Sequence, residues 1–131
     1  RNVPVSIAGS RHIPPQPYRV SKDMEELFIW YNENKFSLHP VHLASEFHHK
    51  LTYIHPFIDG NGRTARLCSN MILMLSGYPP IIFKVEDKMD YYEALEVASC
   101  EGNMKKLNSI FEDLVLESLK THLKYLSNEE E

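Results

Sequence analysis

Cysteine is scarce in this sequence: Cys68 and Cys100 are the only two among 131 residues, and they form no CxxC pair. A disulfide framework and a cysteine-built zinc knuckle are therefore excluded; two buried thiols are expected, and the compartment stays unknown. Long hydrophobic runs are missing too. The most apolar stretch, "MILMLSG", falls far short of the ~20 residues a membrane-spanning helix requires, so no membrane contact is expected of this domain. Nor is there a surplus of positive charge. The 14 Lys and Arg face 18 Asp and Glu, a formal net charge of -4, so no nucleic-acid partner is expected. Signal peptide, initiator methionine and internal repeats are also absent, and a sequence opening on Arg1 reads as a piece of a longer protein. Glycine numbers only 5, which makes the placement of two of them in "YIHPFIDGNGRTARL" informative.

What is present fits one domain over residues 1–131, with 43% hydrophobic and 24% charged residues to build and cover a moderate core. Residues 1–17 read as a flap and connector. Val3, Val5 and Ile7 alternate, Gly9-Ser10 supplies a turn, and "PPQP" stops any regular element, which predicts a short β-hairpin flap. From Ser21, a candidate cap, the period becomes helical through Met24, Leu27, Phe28 and Tyr31. A second helix opens at His39-Pro40 and carries Val41, Ala44, Phe47, Leu51 and Ile54 down to His55. A third runs from about Gly62 to Ser76; it is apolar almost all round, which predicts a central, buried helix. Residues 81–88 read as a short extended piece. A fourth helix covers about Met89 to Cys100, and a long final one carries Leu107, Ile110, Phe111, Leu114 and Leu119. The fold class is thus all-α, a helical bundle with a β-hairpin flap at its N-terminus.

The glycine-bearing loop joins the second and third helices. Main-chain N–H groups at a helix start have no intrahelical acceptor, and glycine lets a ligand approach them closely, so Gly60-Asn61-Gly62 reads as an anion cradle. Arg63 and Arg66 lie on neighbouring positions of the third helix. Cations near a helix N-terminus are misplaced by roughly 0.3–1 kcal/mol each unless a multiply charged anion sits there. Asp59 either pairs with Arg63 or holds a Mg2+ that bridges phosphates. His55, behind Pro56 and the apolar Phe57, is placed to take a proton from a hydroxyl. Together these residues point to phosphoryl or nucleotidyl transfer to a hydroxyl. A phosphate-binding module without chemistry and a purely structural loop remain alternatives at this point.

"HPFIDGNGRTAR", residues 55–66, resembles the signature of the Fic family, HPFx(D/E)GNGRxxR, with every fixed position present. "GSRHIPPQP", "LHPV", "GYPP" and "YYEALEVA" extend the similarity over nearly the whole sequence. It is most similar to the subgroup that includes the metazoan endoplasmic reticulum Fic enzyme, with bacterial relatives sharing these features. The resemblance implies a Fic-type helical bundle that transfers AMP from ATP to a Ser, Thr or Tyr hydroxyl of a protein. Mg2+ is the implied metal, and Mn2+ can substitute. It implies His55 as general base, Asp59 as metal ligand, and Asn61 with the backbone of Gly60 and Gly62 on the α-phosphate. Arg63 would contact the phosphates and Arg66 the γ-phosphate. Tyr91, Tyr92, Glu96 and Ser99 would lie on the nucleoside side, with Tyr92 beside adenine. A protein target would bind along the flap from about Val5 to Ile13, with Ile7, Gly9 and His12 taken as the contacts. AMP removal by the same site, a catalytically weak nucleotide- and peptide-binding module, and a homodimer are left open.

Two features depart from the family pattern. "ASCEGN" places Ser99 where relatives often carry Asn or His, and it seats one extra residue before the glycine. An inhibitory S/TxxxE(G/N) helix, whose glutamate would occupy the second arginine, does not precede the flap and is expected to lie outside this sequence. "SNEEE" at 127–131 matches only SxxxE and reads as a solvated tail. The histidines His39, His42, His48 and His49 lack a completing ligand set and are expected at the surface or boundary.

Overall fold

The computed structural model describes residues 1–129 as five α-helices: α1 (Pro17–Asn34), α2 (Pro40–Ile54), α3 (Asn61–Leu75), α4 (Lys88–Glu101) and α5 (Lys105–Glu129). Proline starts the first two helices, where its missing N–H costs nothing and its fixed φ is already helical. Pro17, not Ser21, therefore sets the start of α1; Ser21 lies one turn inside. At α2 the His39 side chain caps instead, its Nδ1 accepting from the Val41 N–H at 3.2 Å. Residues 81–84 form no regular element, Lys84 having extended dihedrals, and a single 3-10 turn, Val85–Asp87, leads into α4. Of the "SNEEE" tail, Ser127 lies on α5, and Glu130 and Glu131 lie outside the described residues.

The all-α expectation holds, and the hairpin does not. No strand occurs among the described residues. Residues 1–16 form no regular element; they carry one turn in which the Ser10 N–H donates to the Ile7 oxygen at 3.1 Å and Gly9 takes φ +78°. The alternation of Val5 and Ile7 half-buries those side chains against the helices, but no second segment is in register to form a ladder. Side-chain periodicity reports which face is buried; it does not supply the partner whose main chain makes a strand.

The central helix is α2, not α3. It touches α1, α3, α4 and α5, most extensively α3, and Val41, Ala44, Phe47, Leu51 and Ile54 are all buried. On α3 only Asn61, Ala65, Ser69, Ile72 and Leu73 are buried; Leu67, Met71, Met74 and Leu75 are exposed. The thiols also differ from expectation: Cys68 is half-buried beside this face and Cys100 is exposed. Phe111 and Leu107 of α5 close the core from below α2. The molecule is thus a hub helix whose C-terminal end, at His55, projects into the loop that starts α3. No helix among the described residues is long and apolar enough to cross a membrane.

Candidate active site at the α2–α3 loop

His55 ends α2 in the left-handed region, φ 51° and ψ 60°, the one non-glycine residue with positive φ among the described residues. Such a conformation costs an L-residue about 1–2 kcal/mol and must be held by its surroundings. Pro56, fully buried, fixes the exit, and the Arg1 guanidinium holds the last carbonyls of α2. Phe57, expected as the anchor, is instead exposed. The imidazole of His55 stays against the last turn of α2. Its Nδ1 donates to the Thr52 oxygen at 3.3 Å, which leaves Nε2 as the lone-pair nitrogen. Partial burial lowers the His55 pKa, opposed by the Thr52 carbonyl, with the Arg1 and His12 charges adding to the lowering. A neutral imidazole with a free Nε2 is the form a general base requires.

The loop between His55 and α3 is stapled by Asn61. Its Oδ1 accepts from the Phe57 N–H at 2.9 Å and its Nδ2 donates to the Phe57 oxygen at 2.8 Å, within a buried side chain. Asn61 therefore shapes the cradle with its side chain, and its main-chain N–H is the part left for a ligand. The first N–H inside the α3 ladder is that of Thr64, donating to the Gly60 oxygen at 3.0 Å. Those of Asn61, Gly62 and Arg63 precede it and point out of the helix mouth.

The two glycines serve different ends. Gly60 has φ +87°, a conformation that side chains rarely adopt. Gly62 is helical, yet a Cβ there would lie 3.1 Å from Arg66 Nη1, so its bareness is room for a guanidinium. Helix side chains lean toward the N-terminus, and this carries Arg63 over Gly60 and Arg66 over Gly62. Both guanidiniums thus lie against the glycines of the loop.

Asp59 uses Oδ1 to accept the Gly60 N–H at 2.8 Å and sets Oδ2 3.3 Å from Arg63 Nη2. Its side chain is 92% exposed and that of Arg63 73%, so the pair is worth about 0–1 kcal/mol and yields readily to a stronger ligand. A hard, exposed carboxylate beside an anion cradle fits Mg2+, which takes one or two carboxylates and completes its shell with phosphate oxygens and water.

Arg66 and Tyr92 line one cavity of about 430 Å3, with Tyr91, Phe83 and Lys88. Glu96 and Ser99, two further residues assigned to the nucleoside, do not line it. Glu96 accepts from the Ser10 hydroxyl and from the Arg11 N–H at 2.8 Å, contacts that hold its carboxyl at about 2 and tie the N-terminal segment to α4. Ser99 Oγ meets His49 Nε2 at 3.1 Å. In the N-terminal segment, His12 Nε2 meets the Tyr53 oxygen at 2.8 Å and its ring lies 4.0 Å from that of Tyr53. Ile7 and Gly9 form the turn above it.

The remaining histidines each have their own partner: His42 meets Glu112 at 2.6 Å, and His39 caps α2. His48, expected at the surface, is wholly buried with both ring nitrogens engaged, so it is not the base. No group of three or more His, Cys, Asp or Glu side chains among the described residues is placed to hold a metal alone.

Residues 1–73, which include this entire loop, match the model of the Fic/DOC family. The chain belongs to the Fic/DOC family. It is 48% identical over 91 residues to "Protein adenylyltransferase Fic" of Nematostella vectensis, covering 69% of this chain and 21% of that protein. With the Drosophila grimshawi protein of the same name it is 40% identical over 124 residues, 94% of this chain and 25% of the relative. The chain thus spans about a quarter of the length of the curated relatives it matches. Among solved structures it resembles Fic-1 from C. elegans, with a TM-score of 0.83 and 31% identity, covering 96% of this chain and 38% of that one. A Fic domain-containing protein from Bacteroides thetaiotaomicron also gives 0.83, at 29% identity, covering 92% of this chain and 52% of the other.

The anchoring role of Arg1 and the buried His48–Tyr91 hydrogen bond were not foreseen from the sequence, which put His48 at the surface or boundary and Tyr91 on the nucleoside side. Arg1 carries no periodic or motif signal, since its partners are main-chain oxygens 14 to 55 residues away. His48 falls on the apolar stripe of α2 between Ala44 and Leu51, a position that was legible.

Proposed function

We infer that this domain transfers AMP from ATP to a hydroxyl of a protein. The observation that carries this reading is the tautomer of His55: with Nδ1–H committed to Thr52, Nε2 is free to accept a proton beside a cradle of main-chain amides. In the step, the target hydroxyl oxygen forms a bond to the α-phosphorus and the bond to the bridging oxygen breaks. Pyrophosphate leaves, and the hydroxyl proton passes to His55 Nε2. The N–H groups of Asn61, Gly62 and Arg63 face the α-phosphate oxygens, and Arg66 takes the terminal phosphate. Arg63, released from Asp59, adds a second guanidinium to the phosphates. Asp59 would hold Mg2+, or Mn2+ in its place, and the ion would supply charge neutralisation for the leaving group.

Tyr92, sharing a cavity with Arg66, remains the residue for the nucleoside side. Glu96 and Ser99 act behind it, Glu96 by fixing the N-terminal segment and Ser99 through α2. The protein target lies along the segment from Val5 to Ile13; the N–H groups of Ser10, Arg11 and His12 are already engaged, and the remaining main-chain groups are those offered to an added strand. Strand addition reads backbone more than side chains, so the target's sequence is not encoded there. The names of the Nematostella and Drosophila relatives support both the chemistry and the placement with the animal Fic enzymes.

His55→Ala tests the reading. Transfer from labelled ATP falls by roughly 10²–10⁴-fold, the loss of a proton-transfer group, while Mg-ATP binding persists. Undiminished transfer by the variant would exclude His55 as the base.

A further inference from the structure

Behind Arg66 lies a chain of buried polar groups that the proposed chemistry does not use. Ser69 donates its hydroxyl to the Ala65 oxygen at 2.8 Å, so its Oγ can only accept from His48 Nδ1, 3.0 Å away. His48 Nδ1 therefore carries the proton and Nε2 is a lone pair. That lone pair faces the Tyr91 hydroxyl at 2.5 Å, so Tyr91 is the donor and its proton is directed inward. Tyr91 and Arg66 line one cavity, and with its proton directed inward the Tyr91 oxygen has only lone pairs left to offer that guanidinium. Burial lifts the Tyr91 hydroxyl to about 12, opposed by the charge and N–H groups of Arg66.

The arrangement is locked. His48 is buried among Phe83, Tyr91 and Phe111, with ring centroids 5.4–5.7 Å apart. Burial lowers its pKa to about 3, so the ring stays neutral in one tautomer. On the far side, Gly62 leaves space for the same guanidinium.

Resting on the reading of Arg66 as the terminal-phosphate contact, we propose that Ser69, His48 and Tyr91 form a positioning relay that presents an obligate acceptor to Arg66 and holds its guanidinium over Gly62. Tyr91 and His48 touch no substrate in this account; they set where the outer-phosphate site stands. The relay thereby contributes to the distinction between a nucleoside triphosphate and a monophosphate.

The test is a double-mutant cycle with Tyr91→Phe and Arg66→Ala, read as Mg-ATP and AMP affinity by calorimetry on this chain, with thermal melts alongside. Tyr91→Phe weakens ATP by roughly tenfold, the effect of one lost charge-assisted hydrogen bond, and leaves AMP unchanged. In the Arg66→Ala background the same change has no further effect on ATP. Additive losses, equal weakening of ATP and AMP, or unchanged ATP affinity in Tyr91→Phe would overturn the relay while leaving the Arg66 assignment intact. An Arg66→Ala variant that binds ATP as wild type does would remove the phosphate assignment, and the relay with it.

Discussion

The guanidinium of Arg1 donates through Nε to the main-chain oxygen of His55 at 2.6 Å, and through Nη2 to those of Ile54 and Pro15 at 2.9 and 2.8 Å. One cation thus ties the N-terminal segment, the connector and the C-terminal end of α2 together. A helix C-terminus presents orphan carbonyls and partial negative charge, and Arg1 satisfies both. It also holds the left-handed turn by which His55 leaves the helix.

Arg1→Ala should lower the stability of the domain by about 1–3 kcal/mol, since partly buried carbonyls lose a charged donor. It should also change the acid limb of the pH–rate profile. Arg1 is one of the charges that hold the His55 pKa down, so its removal lets that pKa rise and a larger fraction of His55 is protonated near neutrality. Activity relative to the alkaline plateau therefore falls earlier as pH drops. A profile displaced the other way would contradict the assignment.

Alanine at the two loop glycines should separate backbone strain from steric displacement. Gly60→Ala forces an L-residue to φ +87° and should cost about 1–2 kcal/mol of stability. Gly62→Ala meets no such strain, and alanine favours helices, so stability should hold within about 1 kcal/mol. Its Cβ instead pushes on Arg66 at 3.1 Å, and ATP should bind more weakly. Denaturant melts and ATP titrations of both variants check the contrast.

Asn61→Ala removes both bonds to Phe57 and leaves the Phe57 N–H and oxygen without their side-chain partner. The loss should be about 1–3 kcal/mol, with loop amides exchanging faster with deuterium. Asn61→Asp keeps the acceptor for the N–H but opposes the carbonyl with an anion, so it should fail to restore the loop. An Asn61→Asp variant as stable as wild type would show that the staple is not what holds the cradle.

How far the sequence leads can be seen at His55 and Asn61. The motif supplied the loop, the imidazole at its head and the two arginines beside its glycines, because glycine, charge and helix onset are local signals. It did not show that Asn61 spends its side chain on Phe57, because that bond depends on how the loop folds back. The α1 to α5 segments were legible from their apolar spacing. Which helix forms the hub was not, since a run such as "MILML" is equally consistent with a buried helix and with one whose outer face is exposed. The N-terminal alternation of Val5 and Ile7 marked a half-buried edge correctly but suggested a ladder that has no partner.

Acid sensitivity should follow from the histidines. Burial holds His48 at about 3 and His49 at about 4, against 6.5 when unfolded. Because the folded values are lower, the unfolded chain binds more protons below pH 6.5. Stability is therefore complete above that value and is lost as pH falls toward 4 and 3. His49→Gln should flatten the upper part of this decline. A melting temperature independent of pH between 6.5 and 4 would contradict the burial of these rings.

The central claim is that a nucleotide seated on the amides at the start of α3 is attacked at its α-phosphorus by a hydroxyl whose proton goes to His55. Mass spectrometry of a protein acceptor incubated with this domain, ATP and Mg2+ tests it most directly. The account predicts a mass gain of one AMP moiety on a hydroxyl side chain, absent with His55→Ala. A gain of a single phosphate, or an AMP gain unaffected by the loss of His55, would contradict it.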